Sequence, residues 1–134
     1  MGLNRTNLAV VSWILPLGWA TLIFLLSAKS DVPKPDIWLP PFADKIVHGL
    51  IFAVLSCLLY LALRLSGVRY PSAIALAIVL TSLYGITDEW HQSMVPGRTP
   101  DPLDWLADTL GAGLVVPFAH AKNAVLRRLG ISLP

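Results

Sequence analysis

The chain has 134 residues, 55% of them hydrophobic and 13% charged, with ten Lys/Arg against eight Asp/Glu and a mean hydropathy of +0.67. A soluble domain coats itself with roughly a quarter of charged residues, so this composition argues against an ordinary water-soluble fold and for lipid as the solvent. The net charge of +2 is scattered between apolar runs, unlike the basic face of a nucleic-acid binder, and one cysteine, Cys57, allows neither an internal disulfide nor a multi-thiolate metal centre.

Four segments approach the roughly twenty apolar residues a helix needs to cross about 30 Å of hydrocarbon. The first, 8–27, follows Arg5, is longer than the apolar core of a signal peptide and lacks a small-x-small cleavage site, so it reads as a retained span. A proline- and charge-rich stretch, 28–45, leads to the second span, 46–63. The short 64–71 leads to the third, 72–90, and 92–102, with its Pro-Gly pair and two further prolines, leads to the fourth, 103–120. Residues 122–129 alternate basic and apolar side chains, which suits an interfacial helix on an anionic cytoplasmic leaflet. The expected fold class is all-α: a polytopic membrane protein of four transmembrane helices, one domain over residues 1–134.

Four spans leave both termini on one side. Arg5, Arg64, Arg69, Lys122, Arg127 and Arg128 share that side. Lys29, Lys34, Lys45, Arg98 and all eight acids, from Asp31 and Asp36 to Asp108, lie on the other. The basic excess predicts cytoplasmic termini and an acid-rich edge facing outward, flanked by Trp38, Trp90 and Trp105 as interfacial aromatics.

Spacing gathers these polar residues further. Asp44 and His48 are four apart entering the second span; Tyr84, Asp88 and His91 repeat at three to four near the end of the third, with Glu89 and Gln92 as an adjacent stripe; Asp101, Asp104 and Asp108 repeat entering the fourth. If the three helices face one another, the stripes converge on one outward-opening polar pocket. Plainer roles compete: Asp101 before Pro102 reads as an N-cap, Asp44 reads as a cap as readily as a pocket residue, and His48 as a packing residue as readily as a ligand. Asp108 lies a turn deeper than Asp104 and needs a partner such as Arg98, Lys45 or a histidine. Arg98 in Pro96-Gly97-Arg98 is either a turn charge or a planar fork for phosphate or carboxylate. Ala107, Gly111, Ala112 and Gly113 read as a close-packing surface, with Tyr84-Gly85 as its expected counterpart.

Asp44-Lys45-x-x-His48, Tyr84-Gly85-Ile86-x-Asp88-Glu89-x-His91-Gln92, Val95-Pro96-Gly97-Arg98 and Asp104-x-x-Ala107-Asp108-x-x-Gly111 together resemble the signature of the VanZ-like membrane proteins, over about residues 40–115. The family admits asparagine where Asp108 stands and varies more at His91 than at Glu89 and Gln92, so the resemblance ranks Glu89 above His91. It implies a small multi-pass protein of the bacterial inner membrane, in a family associated with low-level resistance to the glycopeptide teicoplanin. It implies no particular reaction.

The expected ligand is a membrane lipid or lipid-linked envelope precursor, bound through Asp44, Lys45, His48, Tyr84, Asp88, Glu89, Gln92, Arg98, Asp104 and Asp108. The alternative is a membrane hydrolase or transferase acting on a phosphate-bearing or polyprenyl-linked lipid, with Glu89, Asp88, His91 and His48 as candidate proton-transfer residues. A small proton-coupled transporter is a third reading, disfavoured because the acids lie toward one end instead of at the midplane. No His-Glu-x-x-His run is present, and neither a metal, a cofactor nor a nucleic-acid partner is expected. The small area that four short helices bury is compatible with a homodimer.

Overall fold

The computed structural model describes residues 4–30, 40 and 42–131, the side chain of Arg5 excepted; Asp31, Lys34, Asp36 and Trp38 of the expected outward edge lie outside these residues. The described residues form six helices and no strand: α1 Arg5–Ser12, α2 Ile14–Ser27, α3 Ala43–Leu65, α4 Tyr70–Ser93, α5 Pro102–Ala112 and α6 Val115–Arg128.

The first span is a rod with one break. Pro16 has no N–H to donate and its ring crowds the carbonyl four residues back, on Ser12, so the helix is interrupted at Trp13, whose N–H turns to Val10 O at 3.2 Å. Pro117 stands in the same relation to Gly113. There the Leu114 N–H turns to Gly111 O at 2.9 Å, and the expected fourth span, 103–120, becomes two helices, α5 and α6. Three helices, Thr6–Ser27, Ala43–Leu65 and Tyr70–Ser93, are long and apolar enough to cross a membrane.

The α3 helix is the axis against which the other five pack. Toward its N-terminal half Phe52 and Leu55 meet Ile23 of α2, with Trp19 donating its indole N–H to Ile51 O at 3.0 Å. Toward its C-terminal half Tyr60 and Leu63 meet Ala73 and Ala77 of α4 and Val115 and Ala119 of α6. Leu15, Leu17, Val79 and Leu110 point outward and stay largely uncovered, as a lipid-facing surface requires.

The closest approach is between α3 and α5. A Cβ built on Gly111 would stand 1.9 Å from Gly49 O, so only glycine permits this crossing; Gly49 in turn lies against the backbone of Ala107. The expected packing role of Ala107 and Gly111 is therefore met, but Gly49 on the second span is the counterpart of Gly111. Gly85 faces Trp105 and Asp108 of α5 instead. The Ser56 hydroxyl donates to Ala112 O at 3.0 Å, satisfying a carbonyl near the α5 break.

The ends of α2 and α4 and the starts of α3 and α5 meet at one pole of the bundle, here the acidic end. The end of α3, the start of α4 and α6 form the basic end.

Candidate functional site

The acidic end is assembled by backbone turns before any side chain acts. Val95-Pro96-Gly97-Arg98 closes a β-turn, with the Arg98 N–H on Val95 O at 3.1 Å, proline second and glycine third at φ 82°, the positive value that position demands. This returns the chain toward α2. Asp101 then caps α5, its Oδ1 accepting the Leu103 N–H at 2.9 Å, with Pro102 in the first turn. On the facing helix Phe42, at φ 71°, is the N-cap of α3 and its side chain makes no cap bond. Asp44 is thus a first-turn residue of α3 and not its cap.

Lys45 is the hub. Its ammonium lies 2.5 Å from Asp101 Oδ2, 2.7 Å from Asp104 Oδ1 and 3.2 Å from Asp44 Oδ2. The hydrogen bond runs to Asp101, while Asp104 is held as an ion pair off the hydrogen-bond axis. Asp101 ties in a third helix: its backbone N–H donates to Glu89 Oε2 of α4 at 2.8 Å. So one residue caps α5, pairs with α3 and holds α4. The Lys45 hydrogen bond, then the Leu103 N–H, keep the Asp101 carboxyl below its ordinary value.

Behind this hub lies a second layer. The Asp108 side chain is completely buried, and His48 Nδ1 stands 3.3 Å from its Oδ1, close enough for an ion pair but misaligned for a hydrogen bond. Both Asp108 oxygens and Glu89 Oε1 therefore lack hydrogen-bond donors among the described residues. The demand that Asp108 find a partner is answered by a histidine, not by Arg98 or Lys45.

The rest of the α4 stripe turns the other way. Asp88 Oδ2 accepts from Ser27 Oγ of α2 and from Gln92 Nε2, each at 2.9 Å, and the Tyr84 hydroxyl donates to Ala20 O at 2.6 Å. His91 stacks on Phe24, ring centroids 4.2 Å apart. Gln92 thus pairs with Asp88 and does not stand in a stripe with Glu89. Tyr84, Asp88, His91 and Gln92 fasten α4 to α2, while Glu89, with Ser82 and Gly85, faces α5. Arg98 also leaves the cluster: its Nε and Nη2 donate to Lys29 O and Leu26 O at 3.1 and 3.4 Å, at the C-terminal end of α2 where a cation meets the helix dipole.

The structure thus brings Asp44, Lys45, His48, Glu89, Asp104 and Asp108 together and sets Tyr84, Asp88, His91, Gln92 and Arg98 apart. Sequence reasoning missed one participant, Ser27, which at the end of an apolar span carries no local signal. Asp101, read both as a stripe member and as an N-cap, does both. Among the described residues no group of three His, Cys, Asp or Glu side chains is arranged to hold a metal ion. Chemically the cluster is an excess of carboxylate, Asp44, Glu89, Asp101, Asp104 and Asp108 against Lys45 and His48, so it attracts hydrogen-bond donors and cations more than anions.

Long apolar helices with an outward apolar surface, folded around a buried carboxylate cluster at one pole, define a helical membrane protein with a polar site at its edge. The chain belongs to the VanZ/LLP1 family, whose model matches residues 4–123, in agreement with the motif resemblance. No curated protein and no solved structure matches it significantly.

Proposed function

We propose that the acidic end is a receptor for the head group of a cell-envelope lipid or lipid-linked precursor, in a bacterial inner-membrane protein with four spans, cytoplasmic termini and the cluster facing outward. One observation carries this reading: Glu89 Oε1 and both oxygens of Asp108 are buried without donors, and buried acceptors are costly unless something donates to them. A head group rich in hydroxyls, amides or an amine supplies such donors. Lys45 is already surrounded by three carboxylates and Arg98 is committed to α2, which argues against recognition through a phosphate clamped by those two cations. An effect on teicoplanin susceptibility follows if the bound precursor is one the antibiotic must reach.

A second reading rests on the His48–Asp108 contact. A buried carboxylate beside an imidazole orients the ring as a general base, and with Glu89 nearby the same pocket would serve a hydrolase or transferase. One experiment separates the two. Lipids are profiled by mass spectrometry in cells carrying wild-type protein, Glu89→Gln or empty vector at matched membrane abundance, and lipids co-purifying with each protein are identified. Occupancy predicts an unchanged bulk profile and a lipid that co-purifies with wild type but is depleted about tenfold with Glu89→Gln, as loss of one charge-assisted bond implies. A bulk lipid converted by wild type alone indicates the enzyme. Equal co-purification by both proteins with no conversion refutes the pocket.

A further inference from the structure

The unmet hydrogen-bond demand of the acidic end lies along the seam between α4 and α5. From the interior outward, Ser82 meets Thr109, Gly85 lies against Asp108, and Glu89 accepts the Asp101 N–H. A Cβ on Gly85 would stand 3.3 Å from Asp108 Oδ2, so this oxygen faces α4, while His48 stands at Oδ1. Glu89 follows Gly85 by four residues, on the same helix face and about 6 Å nearer the pole. Asp108 Oδ2 and Glu89 Oε1 are both out of contact with solvent and without a hydrogen-bond donor among the described residues.

Charge decides which donor fits. Lys45 alone serves Asp44, Asp101 and Asp104, and His48 alone serves Asp108; Glu89 has no ion pair among the described residues. Its carboxylate holds only the neutral Asp101 N–H, and Asp104 and Asp108 add like charge around it. A hydroxyl or an amide fills the open acceptors and leaves that excess in place. A primary ammonium brings three N–H donors and a positive charge together. A nitrogen bonded at about 2.8 Å to an oxygen on either side also spans about one helical turn, the separation of Gly85 and Glu89. A quaternary ammonium carries the charge but has no N–H to give.

Side-chain exposure falls from 64% at Asp44 and 37% at Asp101 to 13% at Asp104 and none at Asp108, which sets the way in. We infer, resting on the head-group reading above, that Glu89 Oε1 and Asp108 Oδ2 seat a primary ammonium group that enters past Asp44 and Asp101. Its carrier is a lipid head group or a small soluble amine. His48 keeps its place at Asp108 Oδ1, and the Asp101 N–H holds Glu89 by its other oxygen.

The full chain, purified in maltoside micelles at neutral pH in an amine-free buffer, is titrated with phosphatidylethanolamine, its N,N-dimethyl derivative, phosphatidylcholine, phosphatidylglycerol or ethanolamine. Bound lipid is counted by native mass spectrometry and unfolding is followed by tryptophan fluorescence. Wild type is expected to hold phosphatidylethanolamine about tenfold tighter than phosphatidylcholine, the value of one charge-assisted bond, with the dimethyl derivative between them. It should also hold it tighter than phosphatidylglycerol, which offers hydroxyls without the cation. Glu89→Gln keeps an oxygen for the Asp101 N–H and should lose these preferences, yet unfold no lower than wild type without lipid, because like charge has been removed; this keeps loss of binding distinct from loss of fold. A Glu89-dependent Tm gain from ethanolamine with no preference among the lipids supports the seat and assigns it to a soluble amine, whereas the lipid preference, with or without that gain, assigns it to the head group. Phosphatidylethanolamine and phosphatidylcholine held equally, with ethanolamine silent, overturn the seat. Phosphatidylglycerol held above phosphatidylethanolamine also overturns it, and if Glu89→Gln abolishes that retention the head-group pocket outlives the ammonium. Retention of every lipid unchanged in Glu89→Gln, with ethanolamine silent, refutes seat and pocket together.

Discussion

Lys45 illustrates how one side chain sets the character of the acidic end. Three carboxylates surround its ammonium, and without it Asp101 and Asp104 would face each other across a poorly solvated gap. Lys45→Met is expected to destabilise the micelle-bound protein by about 2 kcal/mol, and adding Asp104→Asn should recover part of the loss, because half of the damage is carboxylate left without a counter-charge. Asp101 adds a pH signature. Its folded pKa lies below the unfolded value of 3.8, so its stabilising contribution is complete above that value and disappears as pH falls through the lower folded one. Thermal scans below pH 4 should therefore show wild type losing stability faster than Asp101→Asn. Parallel curves would mean that the Lys45 pairing does not survive in solution.

At the scale of elements, the α3–α5 crossing is the tightest joint, and it grades glycines by what surrounds them. Gly111→Ala places a methyl 1.9 Å from a backbone oxygen that cannot move without its helix, and about 3 kcal/mol or more of destabilisation is expected. Gly49→Ala meets the Ala107 carbonyl at 3.2 Å and should cost about 1 kcal/mol. Gly18→Ala, with nothing within 4 Å in the middle of α2, should be neutral or slightly stabilising. Membrane abundance of the three variants, read by immunoblot, should rise in that order. The two proline breaks belong to this scale as well. Pro16 and Pro117 each interrupt a helix four residues upstream, and the second break separates α5, which carries Asp104 and Asp108, from α6, which carries Lys122.

For the whole molecule, the separation of charge is the main feature. Every acidic residue from Asp44 onward gathers at one pole, and the other pole carries Arg64, Arg69, Lys122, Arg127 and Arg128 with no acid. The positive-inside rule predicts from this that the basic pole faces the cytoplasm. An impermeant thiol reagent applied to intact cells of a Cys57→Ser background should modify a cysteine at Thr99, in the loop of the acidic end, and spare one at Ser66, between α3 and α4. Labelling at Ser66 alone would invert the orientation, and with it the leaflet each pole faces.

Composition and apolar run length determined the helical membrane class, because lipid tolerates only backbones that satisfy their own hydrogen bonds, and span length follows from bilayer thickness. Spacing also showed where polar residues concentrate: Asp44, His48, Glu89, Asp104 and Asp108 do meet at one pole. What spacing left open was the rotation of each helix. Residues three and four apart lie within one broad face, so Glu89 and Gln92 read as a stripe in sequence, yet one faces α5 and the other pairs with Asp88 against α2. The commitments of Arg98, His91 and Asp88 depend on α2, a helix far away in the chain whose apolar sequence announces no polar partner. Those pairings, and the Gly49–Gly111 contact that sets the depth of α5 against α3, were decided by tertiary packing. Close approach depends on the shapes of two surfaces at once, and a single chain pattern describes only one of them.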